Sequence, residues 1–239
     1  AGTDDVSILV TSRSLAGESL LAPASPLSVD RDVDVILDGA DGPFGEIEFR
    51  EVLPIGDHYT LIARVPEIGE EGLTQSRLAA AGRAVGIEVV VQADPKRVEA
   101  SEIAPATDLI VTAHSHSRVT KAALAASKLG GIGYHPSLLP RHRGIAAIEW
   151  TIKEGDPIAG GTVYHLADRM DAGAIAAQEW VFVKKGETAR ELWERALAPL
   201  GQKLLADVIY HAKAHGSLPA TPQDEEFATK APALTEAKH

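Results

Sequence analysis

Two spacings of apolar residues alternate along this chain: short continuous runs, and longer stretches in which they return with helical period. The short runs predict strands over Val6 to Val10, Val33 to Leu37, Tyr59 to Val65, Ile87 to Val91, Asp108 to Ala113 and Ile132 to His135. Glu46 to Val52 alternates apolar and charged residues, as a half-buried or edge strand does. Gly161 to Leu166 and Ala174 to Val183 predict two more strands. Helical spacing predicts helices over Leu73 to Val85, stopped by Gly86, and over Ser117 to Leu129, with a serine cap and Gly130-Gly131 at its end. A further helix is predicted from Ile145 to Lys153. Thr188-Ala189-Arg190-Glu191 reads as a capping box for a last helix, which Pro199 should kink or split before Leu204, Leu205, Val208 and Ile209 continue it.

Strands alternating with crossover helices predict the α/β class, with a mainly parallel, doubly wound sheet. Three parts are expected: an atypical stretch 1–58 rich in Pro, Ser, Asp and Gly, a core over 59–216, and a Pro-rich tail over 217–239 that lies extended on the surface. In such sheets, sites gather at the carboxyl ends of strands. His114, His135 and the loop Asp168 to Asp171 fall there on this reading.

Composition narrows the field. With 239 residues and 45% hydrophobic content, the chain can bury a sizeable core. A net charge of -11 argues against a broad polyanion-binding surface. There is no apolar run of the ~20 residues that a membrane helix needs, so no membrane role is expected. The absence of cysteine excludes disulfides, thiolate zinc sites and a cysteine nucleophile, and is compatible with a cytoplasmic location. Gly82 and Gly86 do not form a dinucleotide fingerprint, and there is no Walker loop.

Chemistry concentrates in two segments: Gly133-Tyr134-His135-Pro136-Ser137-Leu138-Leu139-Pro140-Arg141-His142-Arg143-Gly144, and the loop Asp168-Arg169-Met170-Asp171-Ala172-Gly173. A histidine and an aspartate delivered by two strand ends can meet in one cleft as an acid/base pair. The alternatives are a strand-capping histidine and a turn aspartate. His114 and His116 can line a cleft or lie in solvent; without a carboxylate at ligand spacing, no metal is expected. Arg141, His142 and Arg143 fit either an anion seat or a solvated basic turn. Ser137 lacks a nucleophile elbow and is expected to make a loop hydrogen bond. Trp150, Trp180 and Trp193 are expected in the core.

These segments resemble the folate-dependent formyltransferase superfamily, which includes glycinamide ribonucleotide, methionyl-tRNA and sugar N-formyltransferases. The family run reads Asn-x-His-x-Ser-Leu-Leu-Pro, and its later signature ends in Asp-Thr-Gly, where this chain has Asp171-Ala172-Gly173. Asp108-Leu109-Ile110-Val111, Pro222-Gln223-Asp224-Glu225 and Ala231-Pro232 are similar to further family segments, so the likeness covers roughly residues 59 to 234. It implies a Rossmann-like fold and transfer of formyl from 10-formyltetrahydrofolate to the primary amine of a small, anionic acceptor, without a metal. It also implies that His135 is the electrophilic acid and Asp171 its partner and proton relay. Gly133 stands where the family has a catalytic asparagine. By the same likeness, His116, Ser117, Val119, Ala167, Asp168 and Arg169 contact the folate, and Arg169 replaces a common glycine. Ser137, Arg141, Arg143 and His114 are the corresponding acceptor-side candidates. Two alternatives stay open: hydrolysis of the same donor, and folate binding without turnover, which Gly133 favours. As acceptor, tRNA ranks low for an acidic chain without the family's appended tRNA-binding domain.

Overall fold

The computed structural model describes strands Ile8–Ser12 (β1), Val35–Asp38 (β2), Glu46–Phe49 (β3), Tyr59–Ala63 (β4) and Glu88–Val91 (β5), then residues 94, 96–113 and 117–234. The expected helix from Leu73 to Val85 and the residues His114 and His116 lie outside the described residues. The chain continues through Arg97–Val98 (β6), Leu109–Ala113 (β7), Arg118–Val119 (β8), Lys121–Ala125 (α1) and Gly131–His135 (β9). Then come Ala147–Glu154 (α2), Ile158–His165 (β10), Ile175–Phe182 (β11) and Ala189–Leu192 (α3), and a π-helical turn at Trp193–Leu197 leads into Ala198–His215 (α4).

Seven strands form one sheet in the order β11-β10-β9-β7-β1-β4-β5, while β2-β3 and β6-β8 make separate two-stranded pairs. This is the expected α/β class, with parallel strands and covering helices. In strand direction the sheet is mixed rather than mainly parallel. β7 pairs parallel with β9 and β4 with β5, but β1 runs antiparallel to both its neighbours, and β9-β10-β11 is an antiparallel meander. The link from β10 to β11 is too short for a crossover helix, so these two strands run antiparallel, whereas β9 and β10 pair antiparallel although α2 lies between them.

The main core lies between this meander and α4. Leu200, Leu204, Val208, Ile209 and Ala212 recur on one face of α4 and are buried with Ile132, Val163, Leu192 and Leu197. Each such aliphatic side chain contributes about 1.5–3 kcal/mol through burial. A second cluster, Val98, Ile103, Ile110, Val119 and Ala123, lies under α1.

Several boundaries differ from the sequence expectation. The helix expected from Ser117 starts only at Lys121, capped by the Thr120 hydroxyl, which accepts from Ala123 N–H. Arg118 and Val119 are drawn into β8 instead, where Arg118 and Thr120 N–H donate to the Lys96 and Val98 carbonyls. The Thr188 capping box forms as expected. Pro199 does break the last helix, through the wide π turn ahead of it. The Leu197 carbonyl in that turn accepts the Tyr134 hydroxyl at 2.6 Å. Burial holds that phenol far above its ordinary pKa, so it stays a donor. Of the tryptophans, Trp193 is buried, Trp150 half-buried, and Trp180 is 53% exposed against Phe182 on the edge strand. None of the described helices is long and apolar enough to cross a membrane.

The described tail, residues 217–234, carries a 3-10 turn at Glu225–Phe227 and is tied into the protein. Thr221 bridges Ile175, and Lys230 bridges Arg143. Gly144 has φ +128°, and a Cβ there would lie 2.6 Å from the Ala231 carbonyl oxygen, so only glycine lets loop and tail approach.

Candidate active site

His135 ends β9, and the residue is 6% exposed. β10 runs antiparallel, with His165 opposite Ile132 and Thr162 opposite His135, so β10 ends at the far side of β9 from His135. The following loop doubles back to bring Asp171 home. Two backbone features make that path: Asp171 has φ +53°, and Gly173 packs so tightly that a Cβ would sit 1.7 Å from the His165 carbonyl oxygen. Asp171 is also 6% exposed, and its Oδ2 lies 3.7 Å from His135 Nδ1.

Both carboxylate oxygens are held. Oδ1 accepts the Tyr164 hydroxyl and Oδ2 the Gly144 N–H, each at 2.9 Å. On the other side of the imidazole, Nε2 donates to the His142 carbonyl at 2.8 Å. His142 presents that carbonyl from a left-handed backbone, φ +60°. A carbonyl can only accept, so Nε2 carries a proton and Nδ1, facing Asp171, is the atom that titrates. Burial pushes the His135 pKa down and outweighs the pull of Asp171 and of the His142 carbonyl, which act to raise it. Burial thus outweighs the neighbouring carboxylate at His135 and works against charging the ring.

Gly133 lies directly opposite Tyr164 across the β9–β10 ladder. A Cβ there would come within 2.7 Å of Thr112 Oγ1, 3.1 Å of Leu166 Cδ2 and 3.3 Å of Tyr164 Cε1. The room of a larger side chain is thus taken by its neighbours.

The remaining candidates fall into three groups. Ser137 makes the expected loop bond, donating to the Arg141 carbonyl. Arg141 donates to Asp156 and Glu154, while Arg143 donates to Gln223 and Glu225, so both guanidinium groups are engaged by acceptors within the protein. Partial burial works against ionisation of Asp156, but hydrogen bonds from Arg141 and from His142 hold its carboxyl below the usual range. His142, Glu154 and Asp156 cluster closely enough to hold a cation, a role Arg141 already fills between the two carboxylates. Ser117 and Val119 are buried, and the neighbouring Arg118 and Lys121 pair with Asp168, which brings these two segments together. Ala167, Asp168 and Arg169 are exposed, with Arg169 paired to Glu225.

The family model for formyl transferases matches residues 68–209, more than half the chain. The chain belongs to the formyl transferase family. Within this family it is 46% identical over 102 residues to the mitochondrial 10-formyltetrahydrofolate dehydrogenase of Mus musculus, covering 43% of this chain and 11% of that one. It is 36% identical over 145 residues to the methionyl-tRNA formyltransferase of Enterococcus faecalis, covering 61% of this chain and 45% of the relative. The chain thus spans about a tenth of the first relative and less than half of the second. A solved 4-N formyltransferase from Francisella tularensis shares the fold, with a TM-score of 0.55 and 20% identity over 69% of this chain and 63% of that one.

Sequence pattern singles out none of the four groups that hold His135 and Asp171. Tyr164 sits inside a strand, where its alternation marks only a face. The Gly144 N–H and the His142 carbonyl are backbone groups and carry no sequence signal. Gln223 belongs to a tail segment noted only for its likeness, yet its amide donates to the carbonyls of Asp171 and Gly173.

Proposed function

We propose that this protein transfers a formyl group from 10-formyltetrahydrofolate to a primary amine, with His135 and Asp171 as the reacting pair. The observation that carries this reading is the approach of His135 Nδ1 to Asp171 Oδ2 inside the family's matched segment. The names of the dehydrogenase and methionyl-tRNA relatives support the donor and the transfer in turn. Ser117, Val119, Ala167, Asp168 and Arg169 are the described residues that would hold the folate.

In this reaction the amine nitrogen attacks the formyl carbon and the formyl oxygen gains negative charge. His135 Nδ1, neutral and aimed at Asp171, takes the proton that the nitrogen sheds. The resulting imidazolium is stabilised by the adjacent carboxylate, and its positive charge offsets the charge growing on the formyl oxygen. Breaking the bond to N10 then returns the proton and leaves a formamide and tetrahydrofolate. Because Arg141 and Arg143 are engaged by internal acceptors, an anionic group on the acceptor is not part of this proposal.

That same engagement favours a second reading, with water as the acceptor and formate as the product. Incubation of the purified protein with 10-formyltetrahydrofolate separates the two. Tetrahydrofolate release that depends on an added amine supports transfer, and formate release without one supports hydrolysis. Small sugar amines and methionyl-tRNA both belong in the acceptor panel. Folate binding without either product would leave a non-catalytic folate protein. His135→Ala should abolish release, and Asp171→Asn should lower it strongly while leaving a measurable residual rate.

A further inference from the structure

Tyr164 reaches the site from near the carboxyl end of β10, with its ring beside the glycine opposite. Gly133 is its direct cross-strand partner, and the absent side chain leaves the space into which the ring leans. The ring stands edge-on to His135, with centroids 6.4 Å apart and planes at 86°. From there the hydroxyl donates to Asp171 Oδ1 at 2.9 Å.

A carboxylate can rotate about its terminal bond and exchange its two oxygens. With Oδ1 tied to Tyr164 and Oδ2 to Gly144 N–H, that rotation is blocked and Oδ2 stays on the Nδ1 side. We propose that Tyr164 is a positioning residue for the proton-transfer step, clamping Asp171 so that its Oδ2 meets the charge formed on His135. This deepens the formyl-transfer reading and rests on it. Preorganisation is the physical gain: a carboxylate already aimed needs no reorientation when positive charge develops on the imidazole.

Other titratable groups face the pair only indirectly. His142 contributes its carbonyl to the imidazole, and Arg143 reaches the Asp171 loop through Gln223 while also donating to Glu225. Burial and the adjacent Asp171 keep the phenol protonated, so it acts only as a donor.

The test is Tyr164→Phe, which removes one oxygen and keeps the ring. With 10-formyltetrahydrofolate as donor, kcat for tetrahydrofolate release should fall roughly ten- to a hundredfold, while KM for the donor stays within about twofold. In an Asp171→Asn background, where the clamp has lost its charged partner, the same change should cost little more. Unchanged kcat, or losses that simply multiply, would overturn the proposal. A second measurement needs no turnover: the ring ¹⁵N resonances of His135 should shift in Tyr164→Phe, and identical resonances would overturn the clamp. If the wild-type protein itself releases no tetrahydrofolate, the formyl-transfer reading fails, and the nitrogen spectrum still decides whether Tyr164 positions Asp171.

Discussion

Gln223, 52 positions after Asp171 in sequence, donates its amide to the Asp171 carbonyl at 2.8 Å, and to the Gly173 carbonyl at 2.7 Å. Its oxygen accepts from Arg143, so one tail side chain joins the loop after β9 to the loop after β10. Gln223→Ala should therefore cost about 1–3 kcal/mol by leaving partly buried groups without partners. Urea unfolding measures the loss, and a stability equal to wild type would contradict this role for the tail.

Gly133→Asn tests whether the site is a decayed version of the family's. The nearest atoms to an added Cβ are Thr112 Oγ1 and Leu166 Cδ2, both in packed positions. We expect a destabilisation of about 1–3 kcal/mol from overpacking and no gain in tetrahydrofolate release. A large gain in rate at unchanged melting temperature would show that the site accepts an amide there.

The buried imidazole makes a pH prediction whose sign is fixed. The folded-state pKa of His135 is lowered, so between its ordinary value near ~6.5 and the folded value the unfolded chain binds the extra proton. Its contribution is complete above the unfolded value and declines as pH falls toward the folded one. Wild type should lose stability below about pH 6.5 more steeply than His135→Gln. Parallel curves for the two proteins would contradict the lowered pKa.

At lower pH the acidic partners of the loop come into play. Asp156 is held below the ordinary carboxylate range by Arg141 and His142 despite partial burial. Exposed Glu225 is brought to about 2 by the Arg143 hydrogen bond, with Arg169 assisting and slight desolvation opposing. Depressed carboxylates add stability that is present above the unfolded value, near ~4, and is lost as pH falls through the folded one. Asp156→Asn should flatten the acid limb of stability. For Glu225→Gln the change should be smaller and should shrink in added salt, because that carboxylate is in solvent. An Asp156→Asn curve that keeps the wild-type slope would count against this account.

Much of the scaffold was legible because local rules act on neighbouring residues. The runs at Asp108 to Ala113 and Ile132 to His135 pair as β7 and β9, and Thr188 with Glu191 caps its helix. The helix expected at Ser117 failed for a tertiary reason: β6 and the residue before it offer the Val98 and Lys96 carbonyls to that segment, and strand pairing overrides helical spacing until Thr120. Trp180 failed differently, since its strand lies at the sheet edge and nothing in the local pattern marks an edge.

From residue order alone came the two chemical segments, the His135 and Asp171 candidates, the glycine at 133 and the α/β class, because short-range pattern and side-chain type carry that information. The tertiary structure alone decided the antiparallel turn of β10, the return of Asp171 to the His135 side, the burial that lowers the His135 pKa, and the Tyr164, Gly144 and Gln223 contacts that hold the aspartate. The reason is that these depend on solvent exclusion and on pairings between segments far apart in the chain, which no local spacing encodes.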